Sequence, residues 1–99
     1  MGKIGEVLEQ LKKMKPKALI LFGSAARGEM KKDSDVDILI VKDMKESFSD
    51  RIRFVRSNLR TNLPLDILVL TSKEAREITK KSEFFSQIFK EGNYIYGEI

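Results

Sequence analysis

Residues 18–41 read ALILFGSAARGEMKKDSDVDILIV. The first five, ALILF, form a short continuous apolar run with a glycine directly after it, the pattern of a buried strand. Residues 36–42, VDILIVK, are the strongest strand signal in the chain, being rich in aliphatic and β-branched side chains. Between them, Gly23-Ser24-Ala25-Ala26-Arg27-Gly28 predicts a turn into a short helix ending near Gly28 or Met30, and residues 31–34 a polar loop. Strand, helix and strand in that order mark an α/β chain.

The flanking segments extend the alternation. Upstream, Ile4, Val7, Leu8, Leu11 and Met14 recur at three- and four-residue spacing, which predicts a helix over 4–14 that Pro16 stops. Downstream, residues 46–60 predict a second long helix with Phe48, Ile52, Val55 and Leu59 on its apolar face, broken by Asn62 and Pro64. LDILVL, residues 65–70, predicts a third strand that carries one charge among aliphatics. Thr71 or Ser72 can cap a further helix, and Ser82 can start another that Gly92 ends. The tail NYIYGEI adds a short strand or packs without one. The order α-β-α-β-α-β-α predicts a small α/β fold: a short mixed sheet flanked by helices in two or three layers. At 99 residues the chain fits a single domain, residues 1–99.

Composition narrows the chemistry. The chain has no cysteine and no histidine. Disulfides, thiolate metal sites, zinc–imidazole sites and histidine general bases are therefore excluded. Catalysis must run on carboxylates, hydroxyls, Lys, Arg or Tyr. No apolar run approaches the ~20 residues that span a bilayer, and the N-terminus lacks a signal-peptide core, so the expected location is the cytoplasm and no membrane partner is expected. A net charge of +4 leaves room for nucleic acid. The basic residues are scattered without interleaved aromatics, so a mixed, solvated surface accounts for them and nucleic acid is not expected as a direct partner.

Three features carry chemistry. Asp35 and Asp37 are two apart at the start of a strand, so their side chains share a face with Cα atoms roughly 6.5 Å apart. Two carboxylates so placed repel each other unless hard cations such as Mg²⁺ compensate; alone, the pair also fits two solvated acids at a strand end. Asp66 sits among aliphatics, where an acid lies on an edge or is bound to something. If its strand neighbours residues 36–42, it joins the pair as a third, buried acid. Gly23-Ser24 opens a helix after a strand, where a glycine turn, a hydroxyl and helix-start N–H groups can hold phosphate. Arg27, one turn on, can reach the same phosphates. An ordinary turn with a serine cap is the plainer reading of that segment, which is neither a Walker A loop nor a dinucleotide fingerprint. Taken together, the three features fit a two-metal phosphoryl-transfer site in which Asp66 takes the acceptor's proton.

The pattern Gly23-Ser24, ten intervening residues, Asp35-Val36-Asp37 and later Asp66 resembles the signature of the DNA polymerase beta-like nucleotidyltransferase superfamily. The stretch GSAARGEMKKDSDVDILIV is similar to the minimal nucleotidyltransferases, often found as the antitoxin half of a HEPN toxin–antitoxin pair. The resemblance implies that Asp35, Asp37 and Asp66 are the catalytic, metal-binding acids, with two Mg²⁺ ions. It implies that Gly23, Ser24 and Arg27 contact the nucleotide, and that ATP donates AMP to a tyrosine of a HEPN-type partner protein. Larger relatives carry an added helical domain for the acceptor. A second chain, in a homo- or hetero-oligomer, would supply that part here. Phe84, Phe85, Phe89, Tyr94 and Tyr96 are candidates for the interface, with ordinary core packing as the alternative. The competing functional class is a non-catalytic antitoxin that neutralises its ribonuclease by complex formation.

Overall fold

The fold follows from how the apolar runs alternate. In the computed structural model, which describes residues 2–28 and 35–98, the elements are α1 (Gly2–Lys12), β1 (Ala18–Phe22), α2 (Gly23–Ala26), β2 (Val36–Val41), α3 (Phe48–Ser57), β3 (Leu65–Leu70), α4 (Ser72–Ile78), α5 (Glu83–Glu91) and β4 (Asn93–Gly97). The predicted helix end at Met30 and the polar loop at 31–34 lie outside the described residues.

The strands form one mixed sheet in the order β3-β2-β1-β4. β1 runs antiparallel to both β2 and β4, while β2 and β3 run parallel. Among the described strands, β2–α3–β3 alone is a crossover of the parallel kind. The tail, which left two possibilities open in sequence, forms β4 on the free side of β1.

Side-chain alternation gives each sheet face its own core. On one face Leu19, Leu21, Ile38, Ile40, Ile67 and Val69 pack with Val7 and Leu11 of α1 and Val55 of α3. On the other, Ala18, Ile20, Leu39, Val41 and Leu70 pack with Ala75 of α4 and Ile88 of α5. The sheet is therefore covered on both sides, which is why its central strands read as unbroken apolar runs. The helix ends obey local chemistry. Lys15 adopts a φ of 55° between α1 and Pro16, where the proline disfavours helical backbone in the residue before it. Thr71 and Glu74 form a reciprocal capping box on α4, and the Ser82 hydroxyl accepts the Phe85 N–H to cap α5.

α3 departs from expectation. It is shorter than 46–60, because the Ser47 hydroxyl caps its start and Asn58 its end. Of the expected apolar face, Val55 is buried and Ile52 and Leu59 pack half-buried against the core, whereas Phe48 is 41% exposed and Arg51 takes a buried place beside Val55. Arg51 is only 4% exposed, yet its whole fork is satisfied. Nε donates to the Val69 carbonyl (3.2 Å), Nη1 to the Glu46 carbonyl (2.6 Å) and Nη2 to Glu74 Oε1 (2.6 Å). Burial pushes the Glu74 carboxyl up, but the Thr71 N–H and the Arg51 guanidinium outweigh it and hold the group below its ordinary value. A charged side chain at a core position thus ties α3, β3 and α4 together. Hydrophobic periodicity cannot register it.

Candidate active site

The acids lie on neighbouring segments where β1 ends and β2 and β3 begin. β2 and β3 pair in parallel register, so Asp37 stands opposite Asp66 and Leu39 opposite Leu68. Residues two apart share a face. Asp37 and Asp66 therefore lie on the side of the sheet that carries Leu39 and Leu70 against α4 and α5. Asp35 immediately precedes β2 and, by the same alternation, belongs to that side. On the other flank of β2, Phe22 of β1 is the partner of Asp37.

The next residue, Gly23, turns the chain over Asp37. Its φ is +68°, a left-handed conformation that a side chain disfavours. A Cβ there would also fall on Asp37 Oδ2 and lie 3.2 Å from Asp37 Cγ. Glycine is thus required twice over, by backbone angle and by the carboxylate beneath it. Ser24 lies in α2, and Arg27 in the turn that follows, where its N–H donates to the Gly23 carbonyl at 3.3 Å. α2 is a single turn, so its dipole is small. Any hold on an anion here falls to the hydroxyl, the guanidinium and the backbone of the turn.

The electrostatics record the convergence. Burial pushes the Asp37 carboxyl above its ordinary value, and the charges of Asp66 and then Asp35 push it further, while the Arg27 guanidinium pulls it back. All three acids and the arginine thus act within one field.

Two expectations need adjustment. Asp66 is exposed, not buried: it stands near the start of β3, ahead of Leu70, the residue of that face that joins the core under α4 and α5. Asp37 is the half-buried member of the set. In addition, among the described residues no three acidic side chains are gathered into a ready-made ligand set as they stand. The donors nevertheless suit a hard divalent cation: they are all carboxylate oxygens, and mutual repulsion at Asp37 is the kind of cost that Mg²⁺ relieves.

Residues 3–98 match the family described as Polymerase beta, Nucleotidyltransferase. The chain belongs to this family. Two Methanocaldococcus jannaschii proteins, each named "Putative protein adenylyltransferase", are similar to it. One is 33% identical over 71% of this chain and 69% of its own length, the other 35% identical over 74% and 79%. The fold is similar to a crystal structure described as a "putative nucleotidyltransferase" from Sulfolobus solfataricus, with a TM-score of 0.56, 22% identity, and coverage of 98% of this chain and 88% of that one. It is also similar to a chain in a crystal structure of a toxin–antitoxin with AMP-PNP, with a TM-score of 0.57, 18% identity, and coverage of 94% and 72%.

Among the aromatic candidates for an interface, Phe85, Phe89 and Tyr94 are half-buried against the core under α4 and α5, so the core alternative holds for them. Phe84 and Tyr96 are exposed. Sequence reasoning missed Phe22, whose position directly before Gly23 was the available signal. Among the described residues no helix is long and apolar enough to cross a membrane.

Proposed function

We propose that residues 1–99 form one catalytic unit that transfers AMP from ATP to a hydroxyl of a partner protein. The observation that carries this reading is the in-register Asp37–Asp66 pair beneath the Gly23 turn. It places carboxylates from two strands beside a backbone cradle that only glycine permits. The names of the M. jannaschii relatives support protein adenylylation. The fold shared with a toxin–antitoxin chain supports a protein partner, which we take to be a HEPN-type toxin met in the cytoplasm.

The residues divide the work. The Gly23 turn, the Ser24 hydroxyl and the Arg27 guanidinium hold the triphosphate and orient its α-phosphorus toward the acids. The acceptor oxygen attacks that phosphorus, the bond to the bridging oxygen breaks, and pyrophosphate leaves with the electron pair. Asp66, which stands exposed near the start of β3, takes the proton of the acceptor hydroxyl. Asp35, Asp37 and Asp66 would hold Mg²⁺, two ions in this reading, which supplies positive charge against the phosphates and the leaving group.

Incubation with α-labelled ATP, Mg²⁺ and the protein encoded by the neighbouring gene tests the reading. Label on the neighbour supports it. Absence of transfer with every nucleotide and with either Mg²⁺ or Mn²⁺ overturns it. An Asp35→Asn chain that still neutralises the toxin would instead support inhibition by complex formation.

A further inference from the structure

A cleft of about 230 Å³ opens between α2 and α5 on the side of the Gly23 turn, and the acid cluster does not account for it. Phe22, Gly23, Ala26 and Arg27 line one wall, and Phe84, Gln87, Ile88 and Glu91 of α5 line the other. Gly92 closes it. A Cβ on Gly92 would lie 2.5 Å from Ile20 Cγ2 and 2.5 Å from the Ile88 carbonyl, so the end of α5 is packed hard onto β1.

Three observations indicate what the cleft takes. The first is Phe84, which is 56% exposed although it is a large apolar ring. It is nevertheless held in place. Phe22 meets it edge-on at 6.1 Å between centroids, and Phe85 does so at 5.2 Å. A ring fixed from two sides loses little freedom when a second flat ring packs on it. The second is size. Sites that enclose a drug-sized molecule run to about 300–1,000 Å³, so this cleft suits one flat ring system and not a whole nucleotide. The third is continuity. Gly23 lines the cleft and also lies over Asp37, so one residue joins the cleft to the acids. A nucleoside triphosphate has that same order: base, sugar, then phosphates.

We infer that the α2–α5 cleft seats the nucleobase of the donor triphosphate against Phe84. The Gln87 amide presents a donor and an acceptor at the rim to the base edge, and the Glu91 carboxylate an acceptor for a sugar hydroxyl or an amino group. Spacing along α5 puts residues 84, 87, 88 and 91 on one face of the helix. This inference rests on the nucleotidyltransferase reading of the acid cluster and adds to it the element that holds the base.

Calorimetric binding of ATP and of inorganic tripolyphosphate, both with Mg²⁺, separates the two ideas without any activity measurement. The wild-type chain should bind ATP more tightly than tripolyphosphate. Phe84→Ala should weaken ATP about 10-fold or more and leave tripolyphosphate unchanged. Phe84→Trp, which keeps a stacking face, should preserve the gap. Circular dichroism of both variants checks the fold, which an exposed position should not disturb. Wild-type affinity for ATP in folded Phe84→Ala overturns the base seat and leaves the acid site standing. Equal affinity of the wild type for ATP and tripolyphosphate does the same. Binding of neither ligand by the wild type overturns both the seat and the reading beneath it.

Discussion

Asp37 and Asp66 stand opposite each other across the parallel β2–β3 pair, on one face of the sheet, although 29 positions separate them in sequence. The relationship makes the two residues interdependent. On the proposed mechanism, Asp37→Asn and Asp66→Asn should each cut nucleotidyl transfer by orders of magnitude, because either change removes a carboxylate from the proposed metal-binding set. The double variant should lose little more than the worse single one. Initial rates with labelled ATP check this. Near-normal transfer by Asp66→Asn would remove that residue from the site.

Asp37 also ties function to stability through pH. Burial, Asp66 and Asp35 hold its carboxyl above the ordinary value of 3.8, so the folded chain binds that proton more tightly than the unfolded chain does. The resulting stabilisation is complete below pH 3.8 and is lost as pH rises through the higher folded value. Asp37→Asn, which has no charge to gain, should therefore be more stable than the wild type at pH 7. The margin should be under about 1 kcal/mol, since a half-exposed charge is screened. It should vanish in acid. Urea unfolding of both chains at pH 7 and pH 3 measures it, and an Asp37→Asn chain less stable than the wild type at pH 7 would contradict it.

Added Mg²⁺ should raise the melting temperature of the wild type by an amount that grows with ion concentration, as expected for a ligand of the folded state. Asp37→Asn should blunt that response. Equal shifts in the two chains would mean that the ion binds elsewhere.

Gly23→Ala should fail on two counts. Its backbone would sit at a positive φ, which costs an L-residue about 1–2 kcal/mol, and its Cβ would displace the Asp37 carboxylate. A larger fall in activity than in stability is the expected outcome. Activity unchanged after the substitution would mean that the Asp37 carboxylate can move without consequence.

Arg51→Met should destabilise the fold by about 2–4 kcal/mol, since it leaves the Val69 and Glu46 carbonyls and the Glu74 carboxylate without their charged donor. Arg51→Lys should recover only part of this, because an ammonium cannot reproduce the planar fork across three acceptors. Chemical denaturation resolves the series. A methionine variant as stable as the wild type would show that burial of the aliphatic stem suffices.

Much of the molecule was legible from neighbouring residues alone. Apolar runs and side-chain spacing located β1 and β3 to the residue and β2 to within one position. Hydroxyl caps marked where α4 and α5 begin, and a glycine after a strand marked the turn over the site. These signals are local, set by the period of a strand or by the few orphan N–H groups at a helix start. Partnership between distant segments carries no such signature. The order β3-β2-β1-β4, the parallel register that brings Asp66 to Asp37, the exposure of Asp66 near the start of β3, and the burial of Arg51 among carbonyls all arose in packing. A strand's own sequence states which of its faces is apolar. Which neighbour it pairs with depends on how two whole surfaces bury each other, and only the folded chain brings those surfaces together.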